Sequence, residues 1–206
     1  MSCFRHCRTE HSTVTVSTLI RRAGLALAIA AALAGGPALA QQRLVPAPSE
    51  SAFVSKQMGV PVEGKFKKFD AQVAFDPAKL ATSKVAFTVD TGSATLGVRE
   101  TDAELPKAVW FNVPKFPQAT FQSSAIKAVG AGKYEVAGKL SIKGMSQDVV
   151  VPVTLTQSGA TTTAAGSFVI KRLAFKIGEN EWADTSMVAD DVQVKFKLAL
   201  AGVPKL

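Results

Sequence analysis

Two acidic sets carry the reactive side chains best placed for chemistry. Glu100, Asp102 and Glu104 stand at alternate positions after Arg99, and Glu179, Glu181 and Asp184 lie together further on. Such sets serve as cation ligands or as general acid–base pairs. No Asp/Asn–Gly calcium-loop spacing surrounds the first set, and carboxylates early in a helix are also explained by its dipole. A glycoside-cleaving pair is defined by the distance between carboxylates rather than by spacing, so none is assigned. The second set reads as a solvated loop. The only histidines and cysteines of the 206 residues are His6, His11, Cys3 and Cys7. After residue 11 the chain therefore lacks the usual general base, the usual soft metal ligand and the strongest nucleophile. Ser–His–Asp, Cys–His, zinc and haem–histidine chemistry are excluded there. A carboxylate-dependent hydrolase working through Glu100 or Asp102 is the catalytic class that remains.

Those four residues fall in a segment expected to be removed. Arg21 and Arg22 precede an Ala-rich apolar run over residues 23–34, Gly35-Gly36-Pro37 breaks it, and Ala38-Leu39-Ala40 offers small residues at both positions a signal peptidase reads. The run is shorter than the about 20 apolar residues of a membrane span. A cleaved secretory signal over residues 1–40 is expected, through the general secretory route, with the twin-arginine route as alternative. The run carries no lipid-anchoring cysteine. Removing residues 1–40 from 206 leaves 166, enough for one domain with a real core, with 20 basic and 15 acidic residues and a net charge of +5. No disulfide is available to this domain, so packing and backbone pairing must hold it together.

The elements that must position any site read as strands. Phe69, Ala71, Val73 and Phe75 share one parity against Lys68, Asp70 and Gln72, and Val85, Phe87 and Val89 repeat the pattern. Phe66 is out of phase with the first set, which predicts a bulge at Lys67-Lys68. Residues 41–49, with two prolines, form a tether or first edge strand. The carboxylate segment ends at Pro106 and predicts one or two helical turns closing near Leu105. In the middle of the chain Tyr134, Val136, Leu140 and Ile142 alternate with Lys133, Glu135, Lys139 and Ser141, and Val149, Val151, Val153 and Leu155 continue the apolar set. A four-residue loop there would place Lys143 opposite Asp148 and Leu140 opposite Val151. Pro152 lacks an N–H and demands a bulge or an unpaired edge. Residues 161–175 form one long strand or a pair, and Val192, Val194, Phe196, Leu198 and Leu200 alternate in a last strand. About eight short strands and little helix predict an all-β antiparallel barrel or sandwich. Closure into a barrel removes exposed edges and leaves room for one ligand.

Three stretches carry a resemblance: Val73-Ala74-Phe75-Asp76-Pro77; Trp110-Phe111 leading into Phe116-Pro117-Gln118-Ala119-Thr120-Phe121-Gln122-Ser123; and Tyr134 to Gly144, read YEVAGKLSIKG, with Arg172 and Phe175 closing the pattern. In this order and spacing the chain resembles the YceI-like family of exported lipid-binding proteins, over nearly the whole of residues 53–201. The resemblance implies a lipocalin-like antiparallel barrel of one domain over residues 41–206. It implies a periplasmic or secreted binding protein, without enzymatic activity or metal, that holds a polyisoprenoid such as an isoprenoid quinone or polyprenyl phosphate. The apolar face supplies the expected ligand wall: Phe75, Phe87, Trp110, Phe121, Tyr134, Leu140, Phe168 and Phe196. Arg99 and Lys65 are candidate head-group contacts, although the chain departs from the family at Arg99-Glu100 and at Leu105-Pro106-Lys107. Expected partners are the lipid, a membrane surface or membrane protein as donor or acceptor, and a second copy of the chain. Nucleic acid is not expected, because the positive charges alternate around strands instead of forming a stripe. A structural envelope protein that buries its aromatics completely is the remaining alternative.

Overall fold

The structure, a computed structural model, describes residues 41–206; the expected leader lies outside them. The chain runs β1 (Gln42–Gln57), β2 (Val60–Phe66), β3 (Phe69–Ala74), β4 (Lys84–Asp90), β5 (Ala94–Thr95), a short helix α1 (Arg99–Asp102), β6 (Gln118–Gly130), β7 (Lys133–Ile142), β8 (Met145–Ser158), β9 (Thr161–Lys171) and β10 (Asp191–Ala201). Every pairing is antiparallel, and β10 closes onto β1. β2 and β3 both pair with β1 and act as one strand interrupted at Lys67-Lys68, where Phe66 falls out of phase. With β5 an appendage of β2, the wall is a closed barrel of eight antiparallel strands.

Residues 42–49 are the start of β1 rather than a tether. Their ladder to β10 shifts between Val45 and Glu50, across the two prolines. Ser49 repairs the gap, since its Oγ donates to Val45 O at 2.6 Å and accepts from Ala199 N at 2.9 Å. Residues 161–175 resolve into one strand, β9, followed by a 3-10 turn over Arg172–Phe175.

The central hairpin corrects the expected register. Ile142 faces Met145 across a two-residue turn, and Lys143 and Gly144 have φ of 50° and 77°. Positive φ at both turn positions matches the right-handed twist of the flanking strands, so the tight turn displaces the four-residue loop. Lys139, not Lys143, faces Asp148, at 2.9 Å, and Leu140 faces Gln147 rather than Val151. The slip is an even number of residues, so the apolar set stays on one face. Pro152 has its unpaired edge: the β8–β9 ladder stops at Thr154 opposite Ala165.

Candidate functional site

Inside the barrel the inward side chains form two packed clusters. One contains Phe75, Tyr134, Val136, Val151, Leu198 and Leu200, and the other Leu140, Ile142, Ile170, Phe175 and Ile177. Phe121, Val149 and Phe168 touch both clusters yet are themselves only partly buried. Between the clusters lies a cavity of about 200 Å³. Among the described residues its wall is aliphatic and aromatic, with polar side chains only at Ser51, Tyr134 and Thr162. More than ten times the space of one water, and no carboxylate or cation on the wall, make this an apolar chamber suited to hydrocarbon.

Of the expected wall residues, Phe75, Phe87, Phe121, Tyr134, Leu140, Phe168 and Phe196 line the cavity. Trp110 does not. It sits in the loop after α1, where strand parity has no force, and packs on Trp182 with ring centroids 5.5 Å apart. Phe53, Phe66 and Phe111 are wall residues that sequence reasoning missed. Phe66 stacks between the other two, at 5.3 and 6.0 Å. Its phase break at Lys67-Lys68 was the available signal, because an interruption there returns an out-of-phase side chain to the inner face.

Arg99 and Lys65 are both exposed and line no part of the cavity, Lys65 alternating outward next to the inward Phe66. The acidic set is likewise outside it. Asp102 fastens the loop before α1, accepting hydrogen bonds from Thr95 Oγ1 and from Leu96 N at 2.6 Å. Those donors, with Lys67 adding a smaller attraction, hold its carboxyl below the usual range. Glu104 pairs with Lys107 across an exposed turn, and Glu100 is exposed.

One end of the barrel, where β7 turns into β8, is closed by residues 103–117 and 172–190. Gly178 N and Glu179 N both donate to Val109 O, at 2.8 and 3.1 Å. Lys143, whose side chain is only 5% exposed, donates to Glu179 Oε2 at 2.8 Å and to Lys176 O. That hydrogen bond, reinforced by the charges of Lys143 and Lys176, keeps the Glu179 carboxyl below its ordinary value. Arg172 is the centre of the closure, at 2% exposed. Its Nε donates to Ala189 O, one terminal nitrogen to Ile177 O and Gly178 O, and the other to Trp182 O and Val188 O, at 2.6 to 3.1 Å. Burial pushes the guanidinium down, but an arginine starts so high that it stays charged. Phe111 and Ile177, both held by this closure, contribute the cavity wall at this end.

Asp184, lowered by hydrogen bonds from Ser186, joins Asp102 and Glu179 as a carboxylate whose folded pKa lies below its unfolded one. A depressed carboxylate contributes stability above its unfolded pKa, about 4, and the contribution disappears as pH falls through the folded value. Residues 41–206 contain no histidine to titrate between. Thermal melts of the domain are expected to be level from about pH 8 to 5 and to drop below about pH 4. Asp102→Asn should lose less stability than the wild type between those acidic values. An equal acid slope in both proteins would show that Asp102 does not contribute to it.

Comparison with known proteins places the chain among related barrels. A family model described as a YceI-like domain matches residues 42–200. A protein of Ectopseudomonas mendocina called UPF0312 is 33% identical over 65% of this chain and 72% of its own. The crystal structure of Burkholderia cenocepacia BcnA superposes with a TM-score of 0.74 and 51% identity, covering 76% of this chain and 98% of BcnA. A domain of Saccharophagus degradans described as polyisoprenoid binding, and implicated in plant cell wall breakdown, shares the fold at a TM-score of 0.62. It is 16% identical and covers 81% of this chain and all of that domain.

Proposed function

We propose that this chain, which belongs to the YceI-like family, is an exported carrier that holds a polyisoprenoid lipid inside its barrel. The observation that carries the reading is the apolar cavity between the two core clusters, with an aromatic wall and, among the described residues, no charged side chain on it. Hydrocarbon is the chemistry such a wall selects, since a polar ligand would leave hydrogen bonds unmade there. Carbons seated against this wall gain ~0.3 kcal/mol each, so affinity rises with the length of tail that enters and needs no charged anchor. An isoprenoid quinone and a polyprenyl phosphate both present such a tail.

Among the described residues none of the carboxylates a hydrolase would use faces the cavity: Asp102 ties down a loop, Glu179 ties down the barrel closure, and Glu100 is exposed outside it. The reading is therefore of binding without turnover. Export through the expected signal, cut after Ala40, puts the carrier in the periplasm, where a membrane surface or membrane protein would supply and receive the lipid.

Native mass spectrometry of the protein purified from its own host tests this directly. The expected result is one non-covalently bound lipid per barrel, identified as an isoprenoid after extraction. A protein that carries no lipid and takes up neither a quinone nor a polyprenol when offered them would overturn the reading.

A further inference from the structure

The barrel is closed in sequence order, but one of its seams is not laced. Leu155 N donates to Gly132 O at 2.7 Å, so the odd-numbered residues of β8 turn their backbone groups toward β7. Alternation along a strand then turns those of Asp148, Val150 and Pro152 toward β9. Pro152 has no N–H to give at the next rung, and the ladder ends one rung earlier, at Thr154 and Ala165. Gly166 lies against Pro152, since any Cβ there would sit 2.2 Å from Pro152 O. Beyond this point no ladder bond joins residues 145–153 to residues 166–171 among the described residues.

The lips of the seam are apolar at their middle and charged at one end, where Asp148 and Lys171 are exposed. Val150 and Val169 point outward from the two unlaced strands and are 56% and 57% exposed. Behind them Val151, Phe168 and Ile170 line the cavity. At the branch point an outer groove of about 580 Å³ is bordered by Pro152, Gly166, Tyr134, Val153 and Phe196, with Lys133, Glu135 and Lys195 also on its border; Tyr134, Val153 and Phe196 line the cavity as well. Beyond the Thr154–Ala165 rung, the wall between β8 and β9 is side chains without a hydrogen-bonded ladder.

We propose that the hydrocarbon ligand passes into and out of the barrel sideways, between β8 and β9. The inference rests on the carrier reading above. Side-chain motion on nanosecond to microsecond scales suffices to part Val153, Phe168 and Phe196, whereas passage between any laced pair requires breaking several backbone hydrogen bonds together. The occupant of the seam is the tail of the bound lipid, because Val151, Phe168 and Ile170 of the cavity wall lie directly behind the exposed Val150 and Val169.

The absence of cysteine from residues 41–206 allows a clean test. Val150→Cys with Val169→Cys places thiols on the two lips, and a short bismaleimide staples them. Gln122→Cys with Lys139→Cys, on the directly paired strands β6 and β7, gives a control staple across a laced seam. Stopped-flow fluorescence with NBD-labelled geranylgeraniol reads both rates. The seam staple is expected to slow binding and release at least tenfold while leaving Kd within threefold, and the control staple to leave both rates unchanged. Unaltered rates with the seam staple, or equal slowing by both staples, would overturn the proposal. So would loss of self-association without slower exchange, which would make the seam an interface between copies. Failure of the unstapled protein to bind the probe would instead overturn the carrier reading, and the portal with it. Hydrogen exchange on the unmodified protein gives a check that needs no variant. Amides of Val150 and Val169 should exchange at least a hundredfold faster than those of Val151 and Ile170, and equal protection would overturn the open seam.

Discussion

Replacing Arg172 with Met is expected to lower the melting temperature by on the order of 10 °C and to loosen the closed end of the barrel. The arginine gives its hydrogen bonds to five backbone carbonyls, those of Ile177, Gly178, Trp182, Val188 and Ala189. These lie in an irregular segment that makes few ladder bonds of its own, so the guanidinium takes the place of a sheet partner. A buried acceptor left without a donor costs ~1–3 kcal/mol. Five cannot add in full, because water reaches some as the segment relaxes, and a loss of about 3–5 kcal/mol is reasonable for such a site. At 2–4 °C per kcal/mol for a domain of roughly this size, the shift follows. Arg172→Lys separates geometry from charge. An ammonium keeps the cation but offers three donors from one point, so several carbonyls stay unserved and most of the loss should persist. A Lys variant that melts with the wild type would show that charge alone holds the segment.

Filling the chamber gives the second large effect. Ala119 points to the cavity from β6 and is only partly buried. Ala119→Phe should weaken binding of an isoprenoid about thirtyfold while leaving the melting temperature unchanged or higher. The ring displaces about six ligand carbons, which at ~0.3 kcal/mol each amounts to ~2 kcal/mol. In a tightly packed core the same substitution would strain its neighbours by ~1–3 kcal/mol, which is the outcome a purely structural barrel predicts. Calorimetric titration alongside thermal melts reads both quantities. Lower stability with unchanged affinity would place the ligand elsewhere.

How far each feature was legible follows from how local its cause is. An irregularity at Lys67-Lys68 was visible because Phe66 breaks phase within a few residues of Phe69, although the structure makes it an interruption between β2 and β3 and not a bulge. The faces of β7 and β8 were visible for the same reason, but their register was not. Parity survives any even slip, and only the positive φ of Lys143 and Gly144 selects the two-residue turn. Lys143 shows the cost of that ambiguity. Read as the solvated partner of Asp148, it is instead buried against Lys176 and Glu179, which lie more than thirty residues on. Trp110 was placed on the wall because it is large and apolar, yet it belongs to a loop, where side-chain direction has no period to follow.

By itself, then, the sequence determined the class of the protein: strands from a period of two, one domain from its length, an apolar face, and no histidine or cysteine after residue 11 for the commonest chemistries. It also marked Pro152 as needing a bulge or an unpaired edge, since proline cannot donate in any fold. What only the tertiary structure decided is what that face encloses. Whether aromatics pack solid or surround a chamber depends on the spacing of strands far apart in sequence, here set by closure of β10 onto β1. The same holds for Arg172, an ordinary basic residue in the chain until the fold brings five carbonyls around it. Hydrogen-bond demand is local to each carbonyl, but which donor meets it is a property of the closed barrel.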